Sequence, residues 1–465
     1  MNLLNPFFSL GWLSLHGLVV FLGLTIYAIA SHSLRQRRNP SAAIAWVVSL
    51  ILLPYVALPL YLVIGNRKVV SSRQTRSARR PEMATKPGQL AAAIGLPDIV
   101  SFEQLSIHQD GSHALNTLRS MIEGAERTID LCSFLLGRDV LGDEIASLLM
   151  KRAREGVGIR LLLDGIGCYI GGHPNLKRLS AAGVHVALFV SPLQSALPGR
   201  TNLRNHRKMV IGDGQWLWCG GRNLAAEYFE GVASPFGEQH PWIDLSFDLH
   251  GQLAQQAQEQ FDKDWTFATT GVMPESSSVV SARSTTASSH ARLVPSGPDQ
   301  MDDTIYTLLV SGCFTAHTRI VLVTPYFVPD PTLLMALTLA ARRGIKLDLL
   351  LPRRSNHTLA DIARQAALRE LAAAGARVWL MPTMLHAKAI LIDGDLALVG
   401  SANIDERSLF LNYELMVAFY DPSVVKRFEH WIEGHRSTAA GYHPDKPGIV
   451  RELVEGMVRW VAFQL

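Results

Sequence analysis

One pattern occurs twice in this 465-residue chain, and it narrows the fold more than any other feature. His206-Arg207-Lys208, Asp213 and Gly220-Gly221-Arg222-Asn223 are matched by His386-Ala387-Lys388, Asp393 and Gly400-Ser401-Ala402-Asn403. The offsets from His are identical: two to Lys, seven to Asp, seventeen to Asn. Chance predicts roughly 0.02 accidental His-x-Lys-x4-Asp matches in a chain of this composition, before the Asn is required. The surrounding text repeats as well, Ala-Arg-Glu-Gly-Val-Gly-Ile-Arg-Leu-Leu-Leu at 153–163 against Ala-Arg-Arg-Gly-Ile-Lys-Leu-Asp-Leu-Leu-Leu at 341–351. His206 and His386 stand 180 residues apart, so each repeat is a domain-sized lobe and not a solenoid unit.

Within each lobe, strand-like and helix-like runs alternate. Ile129–Leu136, Ile159–Leu163 and Val184–Val190 read as strands around a helix from Asp143 to Glu155; Ile320–Val323, Leu347–Leu351 and Val378–Met381 read as strands around helices that end at Gly344 and Gly375. This alternation implies an α/β fold, with a mixed or parallel sheet flanked by helices in each lobe. Two similar lobes pack about a pseudo-twofold axis, where equivalent residues meet. Between them, Ser276–His290 holds nine Ser or Thr in fifteen residues and reads as a linker.

Phe7–Ala30 and Ser41–Ile64 are each 24 residues without Asp, Glu, Lys or Arg. A helical span of a hydrocarbon core about 30 Å thick takes about 20 apolar residues. No Lys or Arg precedes Phe7 and a second apolar run follows at once, so a transmembrane hairpin is favoured over a cleaved signal peptide. Pro54 and Pro59 leave open a kinked or re-entrant second segment. The connector carries Arg35, Arg37 and Arg38, and the stretch beyond carries Arg67, Lys68, Arg73, Arg76, Arg79 and Arg80. Six against three puts the large body on the cytoplasmic side of a bacterial inner membrane. The expected organisation is a membrane anchor at 1–70, a linker at 71–100, a first lobe at 101–270, a Ser/Thr-rich linker at 271–290, and a second lobe with a C-terminal helix at 291–465.

Two imidazoles, two ammonium groups and two amides make a site for an anion. Lys208, Lys388, Asn223 and Asn403 supply donors to phosphoryl oxygens, where charge must be stabilised as phosphorus becomes five-coordinate. One neutral His can attack phosphorus while a protonated His delivers a proton to the departing alkoxide. Asp213 and Asp393 belong to the catalytic motif but fall at strand ends, in Gly212-Asp213-Gly214 and Asp393-Gly394, where they are expected to hold a turn. Asp244 and Glu414, each at the head of the strand after its motif, are the candidates for orienting the histidines; Glu227 competes with Asp244. No metal-ligand set is present, and the four cysteines stand apart from one another, so no metal, cofactor or disulfide framework is expected.

The doubled motif resembles the phospholipase D superfamily over about Gly111 to His435. More closely, Arg-Asn-Pro-Ser-Ala-Ala-Ile-Ala-Trp (38–46), Ile-Gly-Asn-Arg-Lys (64–68), Arg-Asn-His-Arg-Lys (204–208), Thr-Pro-Tyr-Phe-Val-Pro-Asp (324–330) and Gly-Ser-Ala-Asn-Ile-Asp-Glu-Arg-Ser (400–408) resemble the bacterial cardiolipin synthases of that superfamily. The resemblance implies two homologous α/β/α lobes and a metal-independent phosphohistidine mechanism, with His206 as nucleophile and His386 as acid. It also implies transfer of a phosphatidyl group from one phosphatidylglycerol to another, with anionic phospholipids and a membrane as partners. The same residues would serve a hydrolase, or a transphosphatidylase using a different alcohol. A net charge of +4 and two apolar segments argue against a nucleic-acid substrate. Two departures stand out: Leu224-Ala225-Ala226 where the family more often has Ile-Gly-Asp, and Gly221 opposite Ser401, which removes a hydroxyl donor from one side of the phosphate site. Ile449–Leu465 has helical apolar spacing and is expected to pack on the body.

Overall fold

In the computed structural model the described residues are 10–33, 40–64, 90–91, 93–172, 174–190, 202–234, 237–274, 289–300 and 302–461. They form two compact units, Met1–Arg80 with Val190–Leu203, and Pro81–Phe189 with Arg204–Leu465. Most of the Ser/Thr-rich stretch at 276–290, and the basic cluster from Arg67 to Arg80, lie outside the described residues.

The first unit contains helices α1 (Leu10–Ser33), α2 (Pro40–Leu52) and α3 (Pro54–Ile64). The second apolar run is therefore two short helices and not one span. Pro54 has no N–H to continue the ladder, and its ring disfavours helical geometry at Leu53. Pro59, by contrast, is accommodated inside α3. The three helices meet at Leu50, Ala57 and Tyr61, with Tyr61 packed on Tyr27 and Trp46, while His16 Nε2 lies 3.2 Å from the Ile51 carbonyl. Leu15, Leu18, Phe21, Ile44, Leu52 and Val56 face outward. Among the described residues no helix is long and apolar enough to cross a membrane.

The second unit carries both lobes. Its strands are β1 (Val100–Ser101), β2 (Glu103–Ile107), β3 (Thr128–Ser133), β4 (Gly158–Asp164), β5 (His185–Phe189), β6 (Met209–Gly212), β7 (Trp216–Gly220), β8 (Val232–Ser234), β9 (Gly237–Gln239), β10 (Ser246–His250), β11 (His290–Ser296), β12 (Arg319–Val323), β13 (Phe327–Val328), β14 (Lys346–Pro352), β15 (Arg377–Met381), β16 (Ala389–Ile392), β17 (Leu396–Gly400), β18 (Ile404–Asp405), β19 (Glu414–Phe419) and β20 (Ala440–Gly441). The first lobe's sheet runs β2-β10-β7-β6-β3-β4-β5 and the second's β1-β11-β19-β17-β16-β12-β14-β15-β20. The shared order is plain: β7-β6-β3-β4-β5 matches β17-β16-β12-β14-β15, parallel from β3 to β5 and from β12 to β15, antiparallel elsewhere. Parallel strands buried on both faces require the near-continuous apolar text that the sequence shows at 159–163 and 347–351.

One boundary differs from the expectation. Val100 and Ser101 pair with Ala291 and His290, and Ala91 and Leu96 are buried in the second lobe's core. The end of the expected linker is thus a strand and a helical turn belonging to the far lobe, because its apolar residues find an open edge beside β11. Phe102 and Phe247 then pack edge-on against Phe419, and Trp431 Nε1 donates to the His108 carbonyl at 3.0 Å, so an aromatic seam joins the two lobes' separate cores.

The C-terminal helix, Ile449–Val461, also differs. It does pack on the body, but through Glu455 and Val458, while Ile449, Val450, Leu453, Val454 and Met457 point outward.

Candidate active site

Each motif begins just before a central antiparallel strand. His206 and Lys208 precede β6, and His386 and Lys388 precede β16. What fixes them is a contact with the opposite lobe. The His206 N–H donates to the Tyr413 carbonyl at 2.9 Å, and the His386 N–H donates to the Ile243 carbonyl at 2.7 Å. Tyr413 and Ile243 immediately precede Glu414 and Asp244, so these reciprocal tethers carry each carboxylate across the pseudo-twofold.

The carboxylates accordingly pair with the histidine of the other lobe. His206 Nδ1 lies 2.9 and 3.0 Å from the two Glu414 oxygens, and His386 Nδ1 lies 2.6 Å from Asp244 Oδ2. Both carboxylates are fully buried. Glu227, the competitor to Asp244, is on the short helix Ala226–Tyr228, where burial raises its carboxyl above the ordinary range. Burial likewise pushes Asp244 up, but His386, Lys388 and Arg222 outweigh it and hold Asp244 below the usual carboxylate range.

Burial dominates the bases as well. It depresses His206 to about 4 and His386 to about 3, with the nearby ammonium groups adding to the effect and the carboxylates opposing it. It also lowers Lys208 to about 8 and Lys388 to about 7. Lys208 Nζ donates to the His206 carbonyl at 2.7 Å; Lys388 Nζ lies 2.8 Å from Nδ1 and 3.0 Å from Nε2 of His386. The fields of Glu414 and Asp244 both reach each lysine, so the two lysines, two histidines and two carboxylates form one electrostatic unit.

Asn223 and Asn403 are buried, and each has an Oδ1 without a hydrogen-bond partner among the described residues. Asn223 Nδ2 donates to the Tyr228 hydroxyl at 2.7 Å. After the glycines, Asn223 leads to the single turn Ala226–Tyr228, and Asn403 leads through β18 to Glu406–Phe410.

Asp213 and Asp393 are elsewhere, at the far ends of β6 and β16. Asp213 accepts from the N–H groups of Glu126, Arg127 and Thr128, and Asp393 from those of His317, Thr318 and Arg319. Both have positive φ, 53° and 52°, which is tolerated in Asp because a short polar side chain satisfies the local backbone. These two members of the motif touch neither imidazole; they lock a strand end to the loop entering the neighbouring antiparallel strand, β3 or β12.

The Gly221/Ser401 difference also has a geometric basis. A Cβ on Gly221 would lie 2.2 Å from Asp244 Oδ1. Ser401 Oγ donates to Glu414 Oε2 at 2.5 Å and accepts from Leu415 N–H, so its hydroxyl is engaged with the carboxylate and not aimed at a phosphate.

Several residues escaped the sequence. Arg207 is fully buried and joins the lobes, ion-paired with Asp264 of the first and with Asp299 of the second at 2.8 Å, and donating to the Glu414 carbonyl at 3.1 Å. Its counterpart is Ala387, so the repeat gives no hint of it. Tyr228 and Trp242 wall His386 at ring separations of 5.0 and 5.5 Å, whereas Phe134 stands edge-on to His206 at 5.5 Å. Their signal is three-dimensional and no spacing rule finds them.

The paired lobes and the crossed His-carboxylate pairs define a phospholipase D-like α/β protein. The chain belongs to the family described as Cardiolipin synthase, PLD-like domain, whose model matches residues 118–265 and 314–436, with the Phospholipase_D-nuclease N-terminal family matching 23–66. It is 31% identical over 465 residues to cardiolipin synthase A of Pseudomonas aeruginosa strain LESB58, covering 93% of each chain, and 30% identical over 424 residues to the cardiolipin synthase of Oceanobacillus iheyensis, covering 85% and 87%. In fold it is similar to the phosphatidylserine synthase of Haemophilus influenzae, at a TM-score of 0.64 and 13% identity, covering 82% of this chain and all of that one.

Proposed function

We propose that the chain is a cardiolipin synthase, moving a phosphatidyl group from one phosphatidylglycerol to the free primary hydroxyl of another and releasing glycerol. The observation that carries the chemistry is the crossed pairing, His206 with Glu414 and His386 with Asp244, around two buried lysines. Family membership carries the substrate.

His206 Nε2 attacks phosphorus, the bond to glycerol's oxygen breaks, and His386 gives that oxygen a proton. The hydroxyl of the second lipid then returns its proton to His386 and attacks phosphorus, breaking the P–N bond. Geometry favours this order of roles. Glu414 takes the Nδ1–H of His206, which fixes the tautomer and turns the basic Nε2 toward substrate. His206 is the more open of the two, its side chain 14% exposed against 4% for His386. At pH 7 both imidazoles are neutral, Lys208 is mostly protonated and Lys388 is poised near its midpoint. An entering phosphodiester anion favours imidazolium at His386, with the Lys388 ammonium 3.0 Å from its Nε2; the pair titrates as a unit. Lys208, Lys388, Asn223 and Asn403 donate to the phosphoryl oxygens, while Asp244 and Glu414 orient the histidines. Asp213 and Asp393 hold the two strands that deliver them.

We read the N-terminal helices as the anchor that keeps this chemistry at the bilayer of a bacterial inner membrane. The outward apolar surface of α1 to α3 supports insertion, since contiguous apolar patches of this kind are not left in water. The split of the second run at Pro54 supports a kinked or re-entrant second leg, and the larger basic cluster beyond it supports a cytoplasmic body. Vesicles of isotopically labelled phosphatidylglycerol, incubated with the protein and analysed by mass spectrometry, yield cardiolipin and glycerol in equal amounts. Phosphatidic acid without cardiolipin would mark a hydrolase instead.

A further inference from the structure

The C-terminal helix presents its apolar side to solvent. Ile449 is 80% exposed, Val450 76%, Leu453 63% and Met457 72%. At about 100° per residue these positions and Val454 span about 140° of the helix surface. Glu455 lies on the opposite side, and Val458 lies just beyond the stripe's edge. Glu455 receives ion pairs from Arg369 and Arg451, and Val458 packs on Val328, Ala360 and Ala363. A helix that needed only the body for support would bury its stripe; this one is attached by its polar flank.

Beside it lies a groove of about 1030 Å³ between the helix and residues 353–365. Its walls carry four arginines, of which Arg364 pairs with Asp361 and Arg451 with Glu455 and Asp445, so the groove's excess positive charge sits on Arg353 and Arg354. Arg353 and Arg354 are exposed at the rim. Arg364 is 98% buried, with its Nε lacking a hydrogen-bond partner among the described residues, and burial lowers its affinity for the proton it carries. An apolar stripe next to a cationic groove matches the boundary of an anionic bilayer, where acyl chains and phosphates lie within about 5–10 Å of each other. The same contact reaches the active site. Val458 shares its small cluster with Tyr326, which follows β12 and feels the field of Asp244.

We propose that the helix Ile449–Val461 and the arginine groove form a docking surface for anionic phospholipid, the stripe lying in the acyl boundary and the groove holding a headgroup phosphate. The surface acts in addition to the N-terminal helices and does not depend on the reaction assigned above.

The test uses the full chain reconstituted in vesicles with brominated acyl chains. All four native cysteines are buried. A polarity-sensitive fluorophore is placed at Met457→Cys on the stripe or at Glu452→Cys on the opposite flank of the same helix. In phosphatidylglycerol-containing vesicles the probe at 457 is quenched at least about threefold more than that at 452, as expected for a helix lying in the interface plane. Replacing phosphatidylglycerol by phosphatidylcholine, or introducing Arg353→Glu with Arg354→Glu, removes most of that difference. Equal quenching at the two sites, or a difference that ignores headgroup charge, overturns the proposal. So does a spectral shift that grows with protein concentration without lipid, which would assign the face to a second copy of the chain. The readout needs no turnover, so it is repeated with His206→Ala; failure of the proposed reaction leaves it standing, and its failure leaves the reaction standing.

Discussion

Replacing Glu414 by glutamine removes one negative charge beside His206 and almost no volume. The carboxylate accepts from Nδ1 through both oxygens, at 2.9 and 3.0 Å, in a fully buried setting. A hydrogen bond to a charged group contributes about 1.5–3 kcal/mol. At 1.36 kcal/mol per decade, Glu414→Gln should slow attack on phosphorus about 10- to 150-fold. Asp244→Asn should act instead through His386, weakening delivery of the proton to the leaving oxygen. A phosphatidyl ester of p-nitrophenol separates the two, because its leaving group departs without a proton. In rapid-quench measurements of phosphoenzyme formation with that ester, Glu414→Gln keeps its full penalty and Asp244→Asn loses less than about threefold. If each carboxylate served the histidine of its own lobe the pattern would invert, with Asp244→Asn slow and Glu414→Gln near normal. That result would refute the crossed assignment.

Three further outcomes follow from the same contacts. Arg207→Ala leaves Asp264 and Asp299 buried without their cation and should cost about 3–5 kcal/mol in urea unfolding, since stranded buried charge is expensive; a loss below about 1 kcal/mol would contradict the clamp. The pH profile of kcat/KM should rise through about 4, where His206 becomes neutral, and fall through about 7 to 8, where Lys388 and Lys208 lose their charge; Lys388→Arg should move the alkaline limb upward, and an unmoved limb would remove Lys388 from it. Asp213→Ala should lower stability by about 1–2 kcal/mol at neutral pH by releasing three backbone N–H groups while leaving kcat within about twofold. Three N–H donors hold the folded Asp213 carboxyl below its ordinary value against the opposing effect of burial, so this contribution is full above the unfolded value and is lost as pH falls through the folded one.

The sequence made the lobes legible because duplication supplies its own control: the apolar runs at 159–163 and 347–351 became the parallel strands β4 and β14, and the spacing of each motif placed its turn aspartate at the end of β6 or β16. Asp244 and Glu414 could be picked out from their place ahead of a strand. Their partners could not, because crossing depends on how β10 and β19 approach the opposite lobe, and nothing local encodes a contact 208 residues away in the chain. Arg207 was hidden by its asymmetry, since its match in the repeat is Ala387. The end of the expected linker carried the apolar residues Ala91, Leu96 and Val100, but only the open edge beside β11 gave Val100 a strand to join. At the C-terminus the helical period was readable while its direction was not: an apolar stripe fits a protein core or a lipid surface equally well, and it is the Glu455–Arg369 pair that turns this stripe away from the body.

Acid quenching during turnover on labelled phosphatidylglycerol, followed by peptide mapping under conditions that preserve phosphoramidates, bears most directly on the chemistry. The label should be found on His206, should accumulate when His386 is replaced by Ala and an activated ester is supplied, and should vanish in His206→Ala. Label on His386 would reverse the two roles. With no covalent adduct on either ring under those conditions, two-step transfer through histidine would be wrong.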